Sequence, residues 1–285
     1  MPGRRALEER TDMPKLQHKV AIVTGATRVE PEGLNIGGAI ATELVACGAR
    51  VMLADVNIEG AEALADRLNS DGSEQVACAV PTDVREEAQL QRLVSETVSA
   101  FGGVDVVVNN AGIFPSRDVQ VSDLSLEVWD DVMAVNVRGA MLLTKHVLPF
   151  LLRRGARAIV NTSSTHSFGG DLQLTAYGAS KAALNALTVY TATQYGRFGI
   201  RCNAVCPGTT LSPPVQRAPV EFQQTYARHT LNPGLNTPAD LAKVVAFLAS
   251  DDARGINGMV IRADGGLLAH QPFYADFLEG GAAVS

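Results

Sequence analysis

Long apolar runs are missing from this sequence, and so are clustered cysteines and any excess of basic charge. No stretch approaches the ~18 apolar residues that mark a membrane-spanning helix, which excludes that class. Charged residues make up 19% of the 285, below the ~25% of an average soluble domain. That suits a fold with a large interior, or one that buries surface in an oligomer. The formal net charge of −6 argues against nucleic acid or an anionic membrane as a partner. The cysteines are Cys47, Cys78, Cys202 and Cys206. The last two fall in what reads as one strand, where four residues span about 13 Å, too far for a disulfide. C-x3-C without clustered histidines is also poor zinc spacing. Buried, reduced thiols in a cytoplasmic protein with no metal site are therefore expected. Met1–Lys15 carries Arg4, Arg5, Glu8, Glu9 and Arg10 and lacks the apolar core of a secretory signal. It is read as a disordered leader ahead of a domain over 16–268, with a tail over 269–285.

What the chain does contain is a rhythm. Short β-branched runs at Val20–Thr24, Val51–Asp55, Val76–Thr82, Val104–Asn109, Ala158–Thr162, Arg201–Cys206 and Met259–Ala263 alternate with helix-period stretches. The latter include Ile58–Asn69, Glu86–Phe101, Val132–Leu152, Ala176–Tyr195 and Ala239–Ala249. The strand candidates are almost continuously apolar, as parallel strands covered on both faces must be. Repeated β-then-α order implies right-handed crossovers and a doubly wound α/β sheet in a single domain. Two segments break the rhythm. The Pro- and Thr-rich stretch over 208–238, around a helical piece at Val215–Arg228, stands where a substrate lid belongs. The tail carries Phe273, Tyr274, Phe277 and Leu278, which are either docked or an aggregation hazard.

The first strand runs into Thr24-Gly25-Ala26-Thr27-Arg28, and a helix starts near Ile36-Gly37. Glycines there let backbone approach a pyrophosphate, whose charge the helix N-terminus stabilises. Asp55 ends the second strand. A carboxylate at that tip hydrogen-bonds adenosine ribose hydroxyls and repels the 2′-phosphate of NADP. Val56 follows it rather than an arginine, so NAD is the expected cofactor, with Arg28 leaving some capacity for NADP.

With Asn109-Asn110-Ala111-Gly112 after the fourth strand and Tyr177-Gly178-Ala179-Ser180-Lys181 after the fifth, the chain resembles the short-chain dehydrogenase/reductases, in their short single-domain branch. The resemblance runs from about Lys19 to Leu268. It implies a Rossmann-type seven-stranded parallel sheet, and commonly a homotetramer or homodimer built on the helices at Val132–Leu152 and Ala176–Tyr195 and on the last strand. One departure is plain. The family's glycine loop reads T-G-x-x-x-G-x-G, whereas here Val29–Leu34 looks inserted, Asn35 stands at the middle glycine and Gly37 at the last. Gly25 and Asp55 are 30 apart, and removing six residues leaves 24, close to the roughly 20 of such a unit. The insertion is expected to bulge beside the phosphates or ribose, and Asn35 is placed to cap the helix. The resemblance assigns Asp83 and Val84 to the adenine, and Asn110, Ala111 and Gly112 to the cofactor's path. It places Pro207 and Gly208 under the nicotinamide and the Thr210 backbone at its carboxamide.

Tyr177 and Lys181, four apart on a helix, share one face about 6 Å apart along the axis. A tyrosine with pKa near 10 is only about 0.1% ionised at neutral pH. A neighbouring ammonium and the cationic nicotinamide both favour the phenolate, and lowering the pKa by about three units takes roughly 4 kcal/mol. Tyr177 is thus the candidate general acid/base, with Lys181 also holding ribose hydroxyls. The resemblance gives Ser164 the role of orienting the substrate oxygen, and Asn136 that of holding a water linked to Lys181. His166 follows Ser164 toward the substrate side. Leu211, Pro213, Pro214, Val215, Phe222 and Tyr226 give the lid a moderately apolar lining. The expected activity is interconversion of a small-molecule secondary alcohol and a ketone. Alternatives are an NADP-dependent carbonyl reductase, or a catalytically silent NAD(H)-binding regulator. A sugar epimerase or dehydratase needs a larger C-terminal domain than this chain has room for.

Overall fold

The computed structural model describes residues 15–29, 33–70, 72, 74–153 and 157–279. The expected leader therefore lies outside the described residues, apart from Lys15, which pairs with Asp252 at 3.0 Å. Seven strands make one parallel sheet: β1 Val20–Thr24, β2 Arg50–Asp55, β3 Ala77–Pro81, β4 Val106–Asn109, β5 Arg157–Thr162, β6 Ile200–Pro207 and β7 Val260–Ala263. Their spatial order is β3-β2-β1-β4-β5-β6-β7. The main helices are α1 Ile36–Ala46, α2 Ile58–Asn69, α3 Glu87–Phe101, α4 Leu126–Met133, α5 Ala140–Leu151 and α6 Thr175–Tyr195. After β6 come α7 Pro213–Gln216, α8 Val220–Ala227, α9 Pro238–Ala249 and α10 Tyr274–Glu279. This is the doubly wound Rossmann-type sheet that the β-then-α rhythm predicts.

β1 shows why the strands read as unbroken apolar runs. Ala21 and Val23 face Ile40 and Leu44 of α1 and Val245 and Leu248 of α9. Val20 and Ile22 face the opposite layer, with Leu90 and Leu93 of α3 and Leu143 and Val147 of α5. Both sides of the pleat are dry, so neither has polar residues. Each buried Leu or Ile removes enough apolar surface to stabilise the fold by about 1.5–3 kcal/mol.

Three expectations are corrected. The helix expected over Val132–Leu152 begins earlier, at Leu126, where the Ser125 hydroxyl accepts from the Val128 N–H at 3.3 Å. It is also interrupted by a π-turn over Ala134–Gly139, of the kind that gathers at functional sites. The lid's single helical piece is instead α7 and α8, because Pro219 has no N–H to continue a helix and restricts Ala218 before it. Finally, Cys47 and Cys78 are only half-buried, while Cys202 and Cys206 are fully buried; all four are unpaired.

The insertion is a small hairpin. Arg28–Val29 pairs antiparallel with Gly33–Leu34, and 30–32 lie outside the described residues. In the tail, Ala275 is buried and Tyr274 packs on His270 with ring centroids 4.5 Å apart, while Phe273, Phe277 and Leu278 are exposed. Among the described residues no helix is long and apolar enough to cross a membrane, and no acidic, histidine or cysteine cluster is arranged for a metal.

Candidate active site

Because the chain runs outward through β1, β2 and β3 and then restarts at β4 on the other side of β1, loops diverge above the β1–β4 junction. In open α/β sheets that switch point is where ligands bind. A cleft of about 1000 Å³ lies there, at the upper end of the ~300–1,000 Å³ range for small-molecule pockets.

One end is built by the glycine turn. Gly25 has φ +67°, a conformation that side-chain-bearing residues rarely adopt. A Cβ on Gly37 would stand 2.1 Å from the Gly25 carbonyl oxygen, so only glycine lets α1 start this close to β1. The Asn110 side chain donates to the Thr24 and Gly25 carbonyls, both at 3.0 Å, while the Thr24 hydroxyl accepts from the Asn110 and Ala111 N–H groups. Asn35 is the hub of the loop. Its Oδ1 accepts from Gly38 N–H at 2.7 Å and Thr27 N–H at 3.2 Å, and its Nδ2 donates to the Gly25 carbonyl at 3.0 Å. It therefore caps α1, and it joins the two ends of the hairpin. The first turn of α1 has no acidic residue, leaving the helix's positive end free for an anion.

Asp55, at the tip of β2, lines the cleft. Burial pushes its carboxyl above the ordinary value, opposed by hydrogen bonds from the Asn57 and Val56 backbone. Capping of α2 falls to Asn57, whose Oδ1 accepts from Gly60 N–H at 3.2 Å. Asp83, Val84, Ala111 and Gly112 also line the wall, with Ile36, Pro207, Gly208 and Thr210. Arg28, Gly37 and Asn136 do not line it. An N-terminus free of acid, a glycine seat with no room for a Cβ and a carboxylate at the next strand tip together fit a dinucleotide.

Chemistry-bearing side chains gather at the other end, at the start of α6. Lys181 is fully buried, and its ammonium donates to the Thr162 carbonyl at 2.8 Å. Burial pushes its pKa down to about 8. The ammonium sits over the Tyr177 ring, 5.5 Å from its centroid. Ser164, at the end of β5, hydrogen-bonds the Tyr177 hydroxyl and lies 3.3 Å from His166 Nδ1. Phe114 and His166 pack edge-on against the Tyr177 ring at 5.7 and 5.5 Å. Burial holds the Tyr177 phenol above the ordinary value, with the Ser164 bond opposing it. In the chain by itself, desolvation is the largest influence on the phenol; the expected lowering depends on the cofactor's positive charge acting together with Lys181.

Asn136 produces the π-turn. Its side chain accepts from Ile113 N–H at 2.8 Å and donates to the Ile113 carbonyl at 3.0 Å and the Ser180 hydroxyl at 2.9 Å. It thereby ties the loop after Gly112 to α6. A Cβ on Gly112 would lie 3.3 Å from both Asn136 Oδ1 and Lys181 Nζ.

Sequence reasoning missed three residues here. Asp118 is completely buried, and its two oxygens accept from the N–H groups of Ala176 and of Tyr177 itself at 2.9 and 2.8 Å. It caps α6 from a loop 58 residues earlier in the chain, a spacing with no local signature. Phe114, two residues past Gly112, and Asp171, whose Oδ2 is 3.4 Å from His166 Nε2, likewise gain meaning only from the fold.

Residues 33–268 match the family model described as enoyl-(acyl carrier protein) reductase. A protein of Bradyrhizobium diazoefficiens described as a probable short-chain type dehydrogenase/reductase is 41% identical over 267 residues, covering 93% of this chain and 92% of the relative. The chain belongs to the short-chain dehydrogenase/reductase family. Other relatives include the 7alpha-hydroxysteroid dehydrogenase of Bacteroides fragilis, 35% identical over 91% of this chain and 98% of its own length. The (3R)-3-hydroxyacyl-CoA dehydrogenase of Mus musculus is 36% identical, covering 89% and 97%. Family membership makes the chain an oxidoreductase acting on small molecules and implies a nicotinamide cofactor. The family-model match begins at Gly33, inside the hairpin.

Proposed function

We propose that this short-chain dehydrogenase/reductase interconverts a secondary alcohol and a ketone with NAD, Tyr177 exchanging the proton. The observation that carries this is the convergence of the Tyr177 hydroxyl, Ser164 and the buried Lys181 ammonium on one wall of a cleft whose far end carries Asp55. When bound, the nicotinamide supplies the hydride acceptor or donor. In oxidation Tyr177 acts as the phenolate, which the Lys181 ammonium and the positive charge of the oxidised nicotinamide both favour: Oη takes the alcohol's O–H proton while the carbinol C–H leaves as hydride to the cofactor, and reduction reverses both transfers. Ser164 donates to the substrate oxygen and fixes its distance from Tyr177. Lys181 stays mostly protonated at neutral pH, since its lowered pKa is still about 8, and stabilises a developing phenolate. Gly25 and Ile36 at the α1 N-terminus hold the pyrophosphate, while Asp83, Val84, Asn110, Ala111 and Gly112 guide the adenosine half. Pro207, Gly208 and Thr210 support the nicotinamide. Asn136 positions Lys181 rather than touching substrate.

NAD is favoured over NADP because a 2′-phosphate would meet Asp55, and Val56 offers no compensating charge. Arg85 lines the cleft nearby but is bound to Asp83 at 2.7 Å and Asp131 at 3.4 Å. Exposed Met141 on α5, Val189 and Tyr190 on α6, and Met259 beside β7 support assembly as a homotetramer or homodimer. The unpaired thiols support a cytoplasmic location.

The test is Tyr177→Phe. Turnover of alcohols, followed by nicotinamide absorbance, should fall by about 10²–10⁴-fold, the usual worth of a general acid/base, with NAD affinity retained. Near-normal turnover refutes the assignment. A native chain that binds NAD but turns over no alcohol or ketone supports the silent-regulator reading instead.

A further inference from the structure

We propose that the substrate end of the cleft selects bulky, uncharged secondary alcohols and ketones bearing a second hydrogen-bond donor, and that Asp171, steadied by His166, receives that donor. This rests on the reading of Tyr177 as the proton-transfer residue. Three observations carry it.

The first is charge. Among the described residues lining the cleft, the permanent cations are Arg85 and Lys181. Arg85 belongs to the Asp83 end, and the Lys181 ammonium is bound to the Thr162 carbonyl at the floor. Beyond Tyr177, toward the mouth, the charged side chain is the carboxylate of Asp171, with His166 beside it. An anionic substrate group would meet that carboxylate with no lysine or arginine beside it in the lining to balance it, a repulsion that water softens but does not remove at the exposed Asp171.

The second is the apolar rim. Phe114, Leu172 and Phe222 line the cleft while 53%, 88% and 42% exposed. Large apolar side chains left open around a cleft mouth mark a surface that a ligand covers. A short-chain alcohol held at Tyr177 and Ser164 would meet Phe114, which packs on the Tyr177 ring, but is too small to cover Phe114, Leu172 and Phe222 together; a fused-ring or similarly bulky body would.

The third is how the polar node is held. His166 lies between Ser164 Oγ, 3.3 Å from its Nδ1, and Asp171 Oδ2, 3.4 Å from its Nε2. Its ring also packs against Tyr177. Tyr226 of α8 closes the node from the lid side; burial and the nearby Asp171 carboxylate both hold its phenol above the ordinary value. A carboxylate has room for about four hydrogen bonds. Asp171 Oδ1 accepts from the Leu172 N–H, and Oδ2 faces His166, which leaves capacity for a substrate hydroxyl. Asp171 thus stands one imidazole away from the reacting oxygen, as a second anchor for the far side of a rigid ring system.

The experiment compares decahydronaphthalen-2-ol, decahydronaphthalene-2,6-diol and 6-hydroxydecahydronaphthalene-2-carboxylate as substrates with NAD. In the native chain kcat/KM should rank diol, then mono-alcohol, then carboxylate, with roughly 10- to 100-fold between the extremes, as expected for a charge-assisted bond at a partly exposed site. Asp171→Asn should bring the diol close to the mono-alcohol and raise the carboxylate. Binding of the same compounds to Tyr177→Phe with NAD present, by calorimetry, reads specificity without turnover. If the binding order holds but the native chain oxidises none of them, the Tyr177 reading fails and the role of Asp171 stands. The proposal is overturned if the carboxylate equals or exceeds the diol, if Asp171→Asn leaves the order unchanged, or if none of the three binds.

Discussion

Replacing Lys181 by methionine should remove activity and yet leave the protein as stable as before, or more so. The side chain is fully buried, and burial, opposed by the nearby Cys206, brings its pKa from 10.5 to about 8. That shift corresponds to about 3 kcal/mol spent at neutral pH on keeping the ammonium charged inside the fold. Methionine fills a similar volume without charge. It leaves the Thr162 carbonyl without its donor, which returns about 1–3 kcal/mol of the gain. The net change at pH 7 is then between zero and about 2 kcal/mol in favour of the variant, or a Tm rise of up to several degrees for a chain of this size. The sign of its pH dependence is fixed. A lysine whose folded pKa is lowered costs its full amount below about 8, and the cost disappears as pH rises toward the unfolded value. Native stability should therefore gain on the variant between pH 8 and pH 10.5. Thermal melts of both proteins at several pH values, beside turnover with NAD, give the answer. A variant clearly less stable at pH 7, or a difference in Tm independent of pH, would refute the picture of a desolvated ammonium retained for chemistry.

Asp55→Ala should narrow the preference for NAD over NADP by about tenfold or more, equivalent to roughly 1.4 kcal/mol, measured as the ratio of the two kcat/KM values. An unchanged ratio would mean that the strand-tip carboxylate does not read the ribose. Asn35→Ala removes a helix cap together with two bonds across the hairpin. It should cost about 1–3 kcal/mol in chemical denaturation and weaken NAD binding more than it changes kcat. Asp118→Asn keeps an acceptor for one α6 N–H but loses the charge. It should lower kcat about tenfold or more with a smaller change in KM, because a displacement near 1 Å at a reacting group costs up to about 10²-fold. Equal losses of folded protein and activity, with normal kcat per folded molecule, would make Asp118 purely structural. In the chain without cofactor, the Tyr177 phenol should titrate above the ordinary tyrosine range, read as the phenolate absorbance missing from Tyr177→Phe.

The sheet was legible because both of its faces are covered. Val20, Ala21, Ile22 and Val23 could not be polar on either side of the pleat, so a bare count of apolar runs placed every strand within a residue or two. The glycine seat, Asp55 and the Tyr177–Lys181 pair were legible for a different reason: each depends on spacing along one element or across one turn. What escaped depends on contacts between distant segments. The π-turn at Asn136 arises from its three bonds to Ile113 and Ser180, and no local pattern distinguishes it from ordinary helix. Asp118 has no local signal either. It looks like one more loop acid until the fold sets its two oxygens against the N-terminus of α6. The break at Pro219 was available to a stricter reading, since a proline in mid-helix removes a hydrogen bond and disfavours the helical conformation at Ala218 before it; Pro149 near the end of α5 shows that a helix can carry one where its neighbours hold it.

The inserted hairpin explains how the glycine loop departs from its family's spacing without losing the site. A loop can lengthen cheaply if its two ends stay in place, because closure entropy rises only slowly with length. Here the ends are Thr27 and Asn35, joined by the Thr27 N–H to Asn35 Oδ1 bond and by the Asn35 N–H to Thr27 carbonyl bond. A glycine in place of Asn35 could offer the second bond but not the first. Nor could it donate to the Gly25 carbonyl or cap Gly38 through a side chain. The loss of the middle glycine and the gain of the hairpin are therefore one change, since the side chain that glycine lacks is what keeps the enlarged loop's ends together. Gly37 is still required, because its Cβ position is occupied by the Gly25 backbone whatever lies between them. The positive end of α1 thus keeps its place over the β1–β4 junction, while the Thr27 hydroxyl and the Arg28 carbonyl pack against Gly60 at the start of α2 and leave it no room for a Cβ.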